Sequence, residues 1–285
     1  MENRFFDKDL LRDKIAVVTG ASGGIGGGIV SELLKAGAMV VLVDVNEVDN
    51  PHHQFKSSWI GGYDAAKKTA EEMKKKGLNA EVVECDVTKS GQVSNMVKTV
   101  VQDFGRIDIL VNNAGVLTMA PVADLKEEEW DYMLASNAKG TFLCCREAIP
   151  SMVKQKYGRM INISSTSGLK GYAGQGHYCA SKFAIIGLTE TLALELAPYN
   201  VTANVVCPGI VASQMWKMIT GLMKTSDETR DEYFQRAVKT FIPLGRPQNP
   251  EDIGRTVVFV AAMENITGVT IPVCGGIHIN SPAFE

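Results

Sequence analysis

The sequence predicts an α/β fold, a single doubly wound sheet of about seven parallel strands with helices on both faces. Residues 14–19 form a continuous apolar run, as central parallel strands do when both of their faces are buried. A second apolar run, residues 39–44, follows a glycine-rich turn and a helical pattern, which together indicate a strand–helix–strand unit. The 285 residues are enough for one large domain, spanning 1–285, with a well-buried core.

Composition and charge exclude several classes of partner. The net charge is −3, so nothing in the charge balance points to a nucleic acid or an anionic membrane surface. Residues 1–13 form a short, charged N-terminal extension that has the pattern of neither a signal peptide nor a transit peptide. No apolar run reaches the length of a membrane span. We therefore expect a cytoplasmic protein whose partner is a small molecule, with no nucleic acid and no membrane.

The cysteines and histidines do not form a metal-site pattern. The six cysteines contain no Cys-x-x-Cys pair, and most of them lie within apolar strands or helices. Reduced, buried thiols are therefore expected rather than disulfides or zinc ligands. No pair of histidines has the helical spacing of a metal site, and His52-His53 is more typical of an ordinary polar loop. The sequence thus predicts no metal.

The glycine-rich turn at residues 20–26 lies between the first strand and the helical pattern at 27–35. Glycines at 20, 24 and 26 let backbone N–H groups approach a pyrophosphate, whose charge the helix N-terminus favours. Asp44 ends the second strand, where a carboxylate accepts hydrogen bonds from ribose hydroxyls and repels a 2′-phosphate. A ligand-free glycine turn is the alternative, but the order of these elements favours a dinucleotide. The turn lacks the Gly-Lys-[Ser/Thr] ending of a phosphotransferase P-loop.

A second cluster of candidate residues lies at 162–183. Tyr178 and Lys182 are four residues apart on a predicted helix and therefore share one face. A lysine beside a phenol favours the phenolate and lowers its pKa, as proton exchange with an alcohol requires. Ser165 follows an apolar run, so it is expected where a strand passes into a loop, the usual ligand position in doubly wound sheets. A solvated surface pair is the alternative explanation for Tyr178 and Lys182 alone.

Taken together, these motifs resemble those of the short-chain dehydrogenase/reductase family, from about residue 14 to 278. The further matching elements are Cys85-Asp86-Val87, Asn112-Asn113-Ala114-Gly115, Asn137, Pro208-Gly209, Leu244-Gly245-Arg246, Thr267-Gly268 and Gly275-Gly276. Several independent motifs in the family's order make the resemblance specific. It implies a Rossmann-type fold and an oxidoreductase that uses NAD, because neither position 23 nor position 45 carries an Arg or Lys.

The resemblance also assigns residues to roles. It implies that Tyr178 exchanges the substrate proton, that Lys182 supports Tyr178 and contacts the nicotinamide ribose, that Ser165 binds the substrate oxygen, and that Asn137 orders a relay water. The coenzyme residues it implies are Gly20, Ser22, Gly23, Gly24, Ile25, Gly26, Asp44, Asp86, Val87, Asn113, Ala114, Gly115, Tyr178, Lys182, Pro208, Gly209, Val211 and Ser213.

Two positions depart from the family pattern. Residues 47–62 are longer than the usual connection after the second strand and include Phe55, Trp59 and Ile60. We expect this inserted loop to fold over the adenosine half of the coenzyme, with a mobile surface loop as the open alternative. Cys274 stands before Gly275-Gly276, where the family often has Asp, and the sequence offers no functional account of it.

Residues 212–242 correspond by resemblance to the family's variable substrate lid. A methionine-rich apolar stripe near its start is typical either of packing or of a lid that closes over substrate. The predicted substrate contacts are Leu117, Leu169, Tyr172, Met215 and Trp216. They favour a largely apolar, hydroxysteroid-like alcohol or ketone. A small polyol, sugar acid or diketone stays open if Gln214, Lys217 or His177 reaches the site.

The helix that follows Tyr178 is apolar nearly all round, more than one buried face needs. We therefore expect a second subunit against it, and the resemblance implies a homotetramer. A non-catalytic NAD sensor on the same fold is an alternative from another class. The complete set of Ser165, Tyr178, Lys182 and Asn137 favours the enzyme.

Overall fold

The computed structural model of the chain describes residues 7–46, 52, 62–213, 216, 219–220 and 227–280. Its strands are β1 (Ile15–Thr19), β2 (Met39–Asp44), β3 (Ala80–Glu84), β4 (Ile109–Asn112), β5 (Gly158–Ile163), β6 (Val201–Pro208) and β7 (Thr270–Val273). They form one parallel sheet in the order β3–β2–β1–β4–β5–β6–β7. The order reverses between β1 and β4, so the carboxyl ends of these strands form the crevice where such sheets bind ligands.

Helices cover both faces of this sheet. They are α1 (Gly24–Lys35), α2 (Tyr63–Lys75), α3 (Ser90–Phe104), α4 (Glu127–Leu134), α5 (Gly140–Gln155), α6 (Gly176–Leu196), α7 (Arg230–Phe241) and α8 (Pro250–Ala262). One core cluster packs α1, α2 and α8 against one face, and a second packs α3, α5 and α6 against the other. The predicted α/β class, the doubly wound Rossmann-type topology and the strand number are confirmed.

Strand sequence explains why both faces are covered. Successive side chains of a strand point to opposite faces. Val18 therefore joins the first cluster and Val17 the second, and both are fully buried. Helix α1 packs very closely on α8, since a Cβ atom on Gly28 would lie 2.3 Å from the backbone carbon of Pro250. That contact fixes α1, and with it the glycine turn that precedes it.

Residues 127–155 are helical but do not form one continuous α-helix. Helix α4 passes into a π-helical turn, Ala135–Lys139, before α5 begins. Asn137 lies in this turn, fully buried, and bonds to the backbone of Val116 on the loop after β4. Such single π turns occur frequently at functional sites. The sequence did not reveal it, because the hydrogen bonds between Asn137 and Val116 join separate parts of the chain.

Parts of two predicted loops lie outside the described residues. The inserted loop 47–62 is described only at residues 52 and 62, so its expected place over the adenosine is not examined by the structure. Of the lid at 212–242, residues 214–215, 217–218 and 221–226 also lie outside, including Met215, Gln214 and Lys217. The C-terminal part of the segment that was predicted as a lid forms α7, which begins at a capping box between Thr229 and Glu232.

All six cysteines are buried and carry free thiols, as the sequence predicted. None of the helices in the described part of the chain combines the length and the apolar character needed to cross a membrane.

Candidate active site

A cavity runs along the carboxyl ends of the central strands. It is lined by Gly20, Gly23, Gly24, Ile25, Gly26, Asp44, Val45, Cys85, Asp86, Val87, Thr88, Asn113, Ala114, Gly115, Val116, Tyr132, Ser136, Ile163, Ser164, Tyr178, Lys182 and Ser213. The glycine turn therefore shares one cavity with Tyr178 and Lys182, which lie more than 150 positions further along the chain. This is the convergence that the two sequence motifs predicted separately.

The glycine turn is shaped by contacts that only glycine allows. Gly20 and Gly24 have φ angles of +62° and +52°, in the left-handed region that glycine adopts without strain. A Cβ atom on Gly26 would lie 2.0 Å from the carbonyl oxygen of Gly20. Asn113 holds the turn from the neighbouring strand, donating from Nδ2 to the carbonyl oxygens of Thr19 at 3.1 Å and Gly20 at 2.8 Å. The result is an open backbone cradle at the start of α1.

Two carboxylates lie at the far end of the cavity from Tyr178. Asp44 accepts backbone hydrogen bonds from Ser22 and Val45, each at 2.9 Å, which fix the position of its carboxylate. Asp86 accepts from the backbone and the hydroxyl of Thr88 at 2.9 and 2.7 Å. Among the described lining residues, Lys182 is the one cation, and positions 23 and 45 are Gly and Val.

Tyr178 and Lys182 lie together on the first two turns of α6. Lys182 Nζ lies 5.6 Å from the centroid of the Tyr178 ring and donates to the carbonyl oxygen of Ile163 at 3.0 Å. Ser165 follows the end of β5, as predicted, and its Oγ accepts from the Ser167 N–H at 3.1 Å. The Ser165 hydroxyl also forms a hydrogen bond with the Tyr178 phenol.

The pKa values of the site differ from the sequence-based expectation. Burial raises the pKa of Tyr178 to about 12, although a hydrogen bond with Ser165 acts in the opposite direction. Burial also lowers the pKa of Lys182 to about 8. The net shift is therefore opposite in direction to the lowered pKa that was expected for Tyr178, because desolvation of the buried phenol is the largest effect on it. The phenol is protonated at neutral pH and can act as an acid.

Asn137 braces the site through its side chain. Its Oδ1 accepts from Val116 N at 2.8 Å, and its Nδ2 donates to Val116 O and Ser181 Oγ, each at 3.0 Å. A Cβ atom on Gly115 would lie 3.0 Å from Asn137 Oδ1 and 3.6 Å from Lys182 Nζ. The amide therefore lies next to the lysine, with its donors taken by protein atoms. The expected water relay stays a prediction.

Some predicted residues do not line the cavity. Among the coenzyme candidates, these are Ser22, Pro208, Gly209 and Val211. Ser22 acts instead through the turn, donating to Asp44 from its backbone and accepting from Gly62 N at its hydroxyl, 2.8 Å away. Ser165 and Asn137 also lie just outside the lining, although their neighbours Ser164 and Ser136 belong to it.

The predicted substrate residues lie beside the cavity rather than in its lining. Leu117 is buried on the loop after β4, and Leu169 is half-buried before α6. Burial raises the pKa of Tyr172. Trp216 packs edge-on against Phe234 of α7, with ring centroids 6.2 Å apart. Met215 lies outside the described residues.

Several lining residues were not singled out from the sequence: Val45, Cys85, Thr88, Val116, Tyr132, Ser136, Ile163 and Ser164. Most adjoin a predicted residue and could have been found from that adjacency. Tyr132 and Ser136 are different, because they belong to no motif. Their spacing of four residues places both on one face of α4 and its π turn, which was the available signal.

Cys274 has a structural role in place of the family's Asp. Its thiol lies 3.2 Å from His278 Nδ1, and a Cβ atom on Gly209 would lie 2.8 Å from Cys274 Cβ. The residue is buried and packs against the backbone at the end of β6. Its position explains why a small side chain is needed there, but it assigns the thiol no chemistry.

The cavity fits a dinucleotide with a nicotinamide end. The Gly20–Gly24 cradle leaves room for a pyrophosphate against the N-terminus of α1, where backbone N–H groups lack helical partners. Asp44 is fixed where a ribose would lie, and Tyr178 and Lys182 are at the opposite end. Ser213 covers the turn, with its Cβ 3.5 Å from where a Cβ on Gly24 would be.

Known proteins are similar in sequence to this chain over almost its whole length. A family model described as short chain dehydrogenase matches residues 14–222. The 3-oxoacyl-[acyl-carrier-protein] reductase of Staphylococcus epidermidis is 37% identical over 269 residues, 94% of this chain and 100% of that protein. An uncharacterized oxidoreductase of Bacillus subtilis is 33% identical, over 93% of this chain and 98% of its own length.

A solved structure extends the likeness to the fold. The ligand-free aldohexose dehydrogenase of Thermoplasma acidophilum matches with a TM-score of 0.82 and 27% identity, covering 98% of this chain and 99% of that one. The glycine cradle, the Tyr178–Lys182 pair and the family match agree with one another. The chain therefore belongs to the short-chain dehydrogenase family of nicotinamide-dependent oxidoreductases.

Proposed function

We propose that this protein interconverts a secondary alcohol and a ketone with NAD(H) as coenzyme. The observation that carries the proposal is the single cavity in which the Gly20–Gly26 cradle, Asp44, Tyr178 and Lys182 meet. A bound nicotinamide would supply the hydride acceptor or donor. The chain's own residues supply position and proton control.

Tyr178 is the proposed proton donor for ketone reduction. Its pKa of about 12 keeps the phenol protonated at neutral pH, so a proton is available as the carbonyl oxygen gains charge. Ser165, which is hydrogen-bonded to the Tyr178 phenol, is proposed to donate from its hydroxyl to the same oxygen. In alcohol oxidation the phenol must first lose its proton, and the Lys182 ammonium beside the ring favours that phenolate.

The preference for NAD rests on the two carboxylates at the adenosine end. Replacing Asp44 by Ala removes the acceptor for the ribose hydroxyls and the charge that repels a 2′-phosphate. A hydrogen bond to a charged group contributes about 1.5–3 kcal/mol, so the ratio of kcat/KM for NAD over NADP should fall at least about tenfold. Steady-state kinetics with both coenzymes measure the ratio.

Asp103→Ala is the matched control, because it removes an exposed carboxylate near the end of α3, away from the cavity. It should leave the ratio unchanged. An unaltered ratio in Asp44→Ala would remove the basis for the NAD assignment.

The proposed substrate is largely apolar, with a hydroxysteroid-like alcohol or ketone as the first candidate. The proposed substrate contacts are apolar or aromatic side chains: Leu117, Leu169, Tyr172, Met215 and Trp216. Two alternatives have support in the relatives' names. One is a 3-oxoacyl thioester, which also carries a ketone on an apolar chain. The other is a sugar, polyol, sugar acid or diketone, since a structural neighbour is an aldohexose dehydrogenase.

A substrate panel followed by NADH absorbance separates these candidates. We expect the highest kcat/KM among sterols and other apolar secondary alcohols, with polyols, hydroxy acids and short 3-oxoacyl thioesters lower. A preference for aldohexoses or polyols would replace the apolar assignment with the second alternative. Coenzyme binding without any turnover across the panel would favour the NAD-sensing alternative.

We further propose a cytoplasmic homotetramer. Helix α6 exposes Leu194 to 80% and Phe183 to 47%, large apolar side chains eleven positions apart that lie on the same helical stripe. Light scattering should give four times the mass of the chain, and Leu194→Glu should lower it because a charge cannot be buried unpaired at an interface. A monomeric wild type would refute the assembly.

A further inference from the structure

Two chain segments at the substrate end are joined edge to edge. The first is the loop after β4, and the second is the segment between β5 and the start of α6. Ala120 N donates to Gly174 O at 2.9 Å, and Ala120 pairs with Gln175 in an isolated parallel bridge. A Cβ atom on Gly176 would lie 3.0 Å from Val122 Cγ2. We call this junction the seam.

One side-chain hydrogen bond closes the seam. Thr118 Oγ1 and His177 Nε2 lie 2.5 Å apart, and Thr118 is 4% exposed and His177 0%. Burial lowers the pKa of His177, so the imidazole stays neutral at neutral pH. Its Nδ1 is buried with no hydrogen-bond partner among the described residues. Thr118 follows Leu117, a proposed substrate contact on the loop after β4, and we call that loop the substrate wall. His177 immediately precedes Tyr178.

The seam also reaches Ser165. Ser167 donates from its backbone to Ser165 Oγ at 3.1 Å and from its hydroxyl to Gln175 Oε1 at 3.0 Å. Gln175 is the residue paired with Ala120. The hydroxyl that would bind the substrate oxygen and the phenol that would exchange its proton are thus both held from one junction.

We propose that the Thr118–His177 hydrogen bond is a positioning contact for the reaction: it fixes the substrate wall against the start of α6 and so sets the placement of substrate relative to Tyr178. The proposal rests on the proposed function. His177 itself is buried and touches neither the cavity nor solvent, so it acts through Tyr178 and Leu117.

A purely stabilising role is a poor explanation for this pair. A buried nitrogen without a partner costs free energy, and apolar side chains at the two positions would avoid that cost. A role in placing the substrate relative to Tyr178 explains the pair better. Hydride transfer requires near-contact geometry, and a misplacement of about 1 Å can lower the rate about a hundredfold.

The test uses two pairs of variants, each with one member that keeps the contact. Thr118→Val removes the hydroxyl at nearly constant shape, whereas Thr118→Ser keeps it. His177→Gln keeps a polar atom near the Nε2 position, whereas His177→Asn keeps one only near Nδ1. Thr202→Val is the matched control, since Thr202 is a buried threonine at the amino end of β6 whose hydroxyl has no hydrogen-bond partner among the described residues.

We expect Thr118→Val and His177→Asn to lower kcat/KM for the panel substrate at least about tenfold, with NADH affinity unchanged. Thr118→Ser and His177→Gln should stay within about twofold of wild type. The double variant Thr118→Val/His177→Asn should be no worse than either single variant, because both break one contact. All assays are run well below the melting temperature of the least stable variant.

Equal losses in all four single variants, no loss in any, or a parallel loss in Thr202→Val would each overturn the positioning role. A parallel weakening of NADH binding would overturn it as well, since the defect would then not be confined to the substrate end. Failure of the proposed function is seen separately, as a wild type that turns over no member of the panel.

Discussion

Tyr178→Phe is expected to lower turnover by about three decades while leaving NADH affinity within about twofold of wild type. Removal of a general acid–base group costs 10²–10⁴-fold in rate, and Phe keeps the ring that lines the cavity. Single-turnover kinetics and NADH fluorescence titration measure the two quantities.

The pH dependence gives an independent readout of the same group. The raised pKa of Tyr178 means that the phenolate is scarce at neutral pH, so wild-type alcohol oxidation should accelerate as pH rises. Tyr178→Phe should lose that acceleration. Tyr199→Phe, which removes an exposed phenol just beyond α6, is the matched control and should behave as wild type. More than about a tenth of wild-type turnover in Tyr178→Phe would end the acid–base assignment.

Lys182→Met is expected to lower alcohol oxidation at least about a hundredfold and, at the same time, to stabilise the fold. The activity falls because the ammonium that favours the Tyr178 phenolate is gone. The stability rises because a lysine at 4% exposure is buried at a cost, which its lowered pKa records. Function and stability therefore oppose each other at this residue.

The direction of the stability change and the pH range over which it occurs follow from the pKa of Lys182. Lys182 has a pKa of about 8 in the fold against 10.5 as its ordinary value, which corresponds to about 3 kcal/mol. The unfolded chain binds more protons than the fold between these values, so wild-type stability rises with pH from about 8 to about 10.5. The full cost is present below about 8. Loss of the hydrogen bond to Ile163 offsets about 1 kcal/mol, leaving a net gain of about 2 kcal/mol for Lys182→Met at pH 7.

Denaturant unfolding of both proteins across this pH range is the measurement. The difference in the free energy of unfolding between Lys182→Met and wild type should shrink as pH rises toward 10.5. Lys156→Met, at an exposed lysine after α5, controls for the loss of one positive charge and should show no such trend. A Lys182→Met protein that is less stable than wild type at pH 7 would contradict the desolvation argument.

Much of the fold could be predicted from the sequence because its central strands are continuous apolar runs separated by a glycine turn and a helical pattern. Residues 15–19 and 39–44 are apolar throughout, which identifies strands buried on both faces, and the glycine turn between them fixes the topology. The candidate site followed for the same reason. Parallel strands end at one edge of the sheet, so Asp44 and Ser165 were expected at the same edge although they are far apart in the chain, and the family resemblance added Asn113.

The features that escaped prediction depend on tertiary contacts. The π turn at Asn137 follows from an amide bonding across to Val116, which no local pattern encodes. The pKa of Tyr178 was predicted in the wrong direction because helical spacing gives the lysine's proximity but not the depth of burial. The Thr118–His177 contact joins residues 59 positions apart, so it becomes visible only in the folded chain.

The crystal structure of the chain with NADH bound is the most direct test of the central claim. We expect a dinucleotide extended from the Gly20–Gly26 turn, with an adenosine ribose on Asp44 and the nicotinamide between Tyr178 and Gly115. The hydroxyls of Tyr178 and Ser165 should face one empty position about 3 Å from each, where a substrate oxygen would lie. Electron density for the nicotinamide outside this cavity, or a Tyr178 hydroxyl turned away from it, would contradict the proposed role of Tyr178 and the proposed coenzyme site.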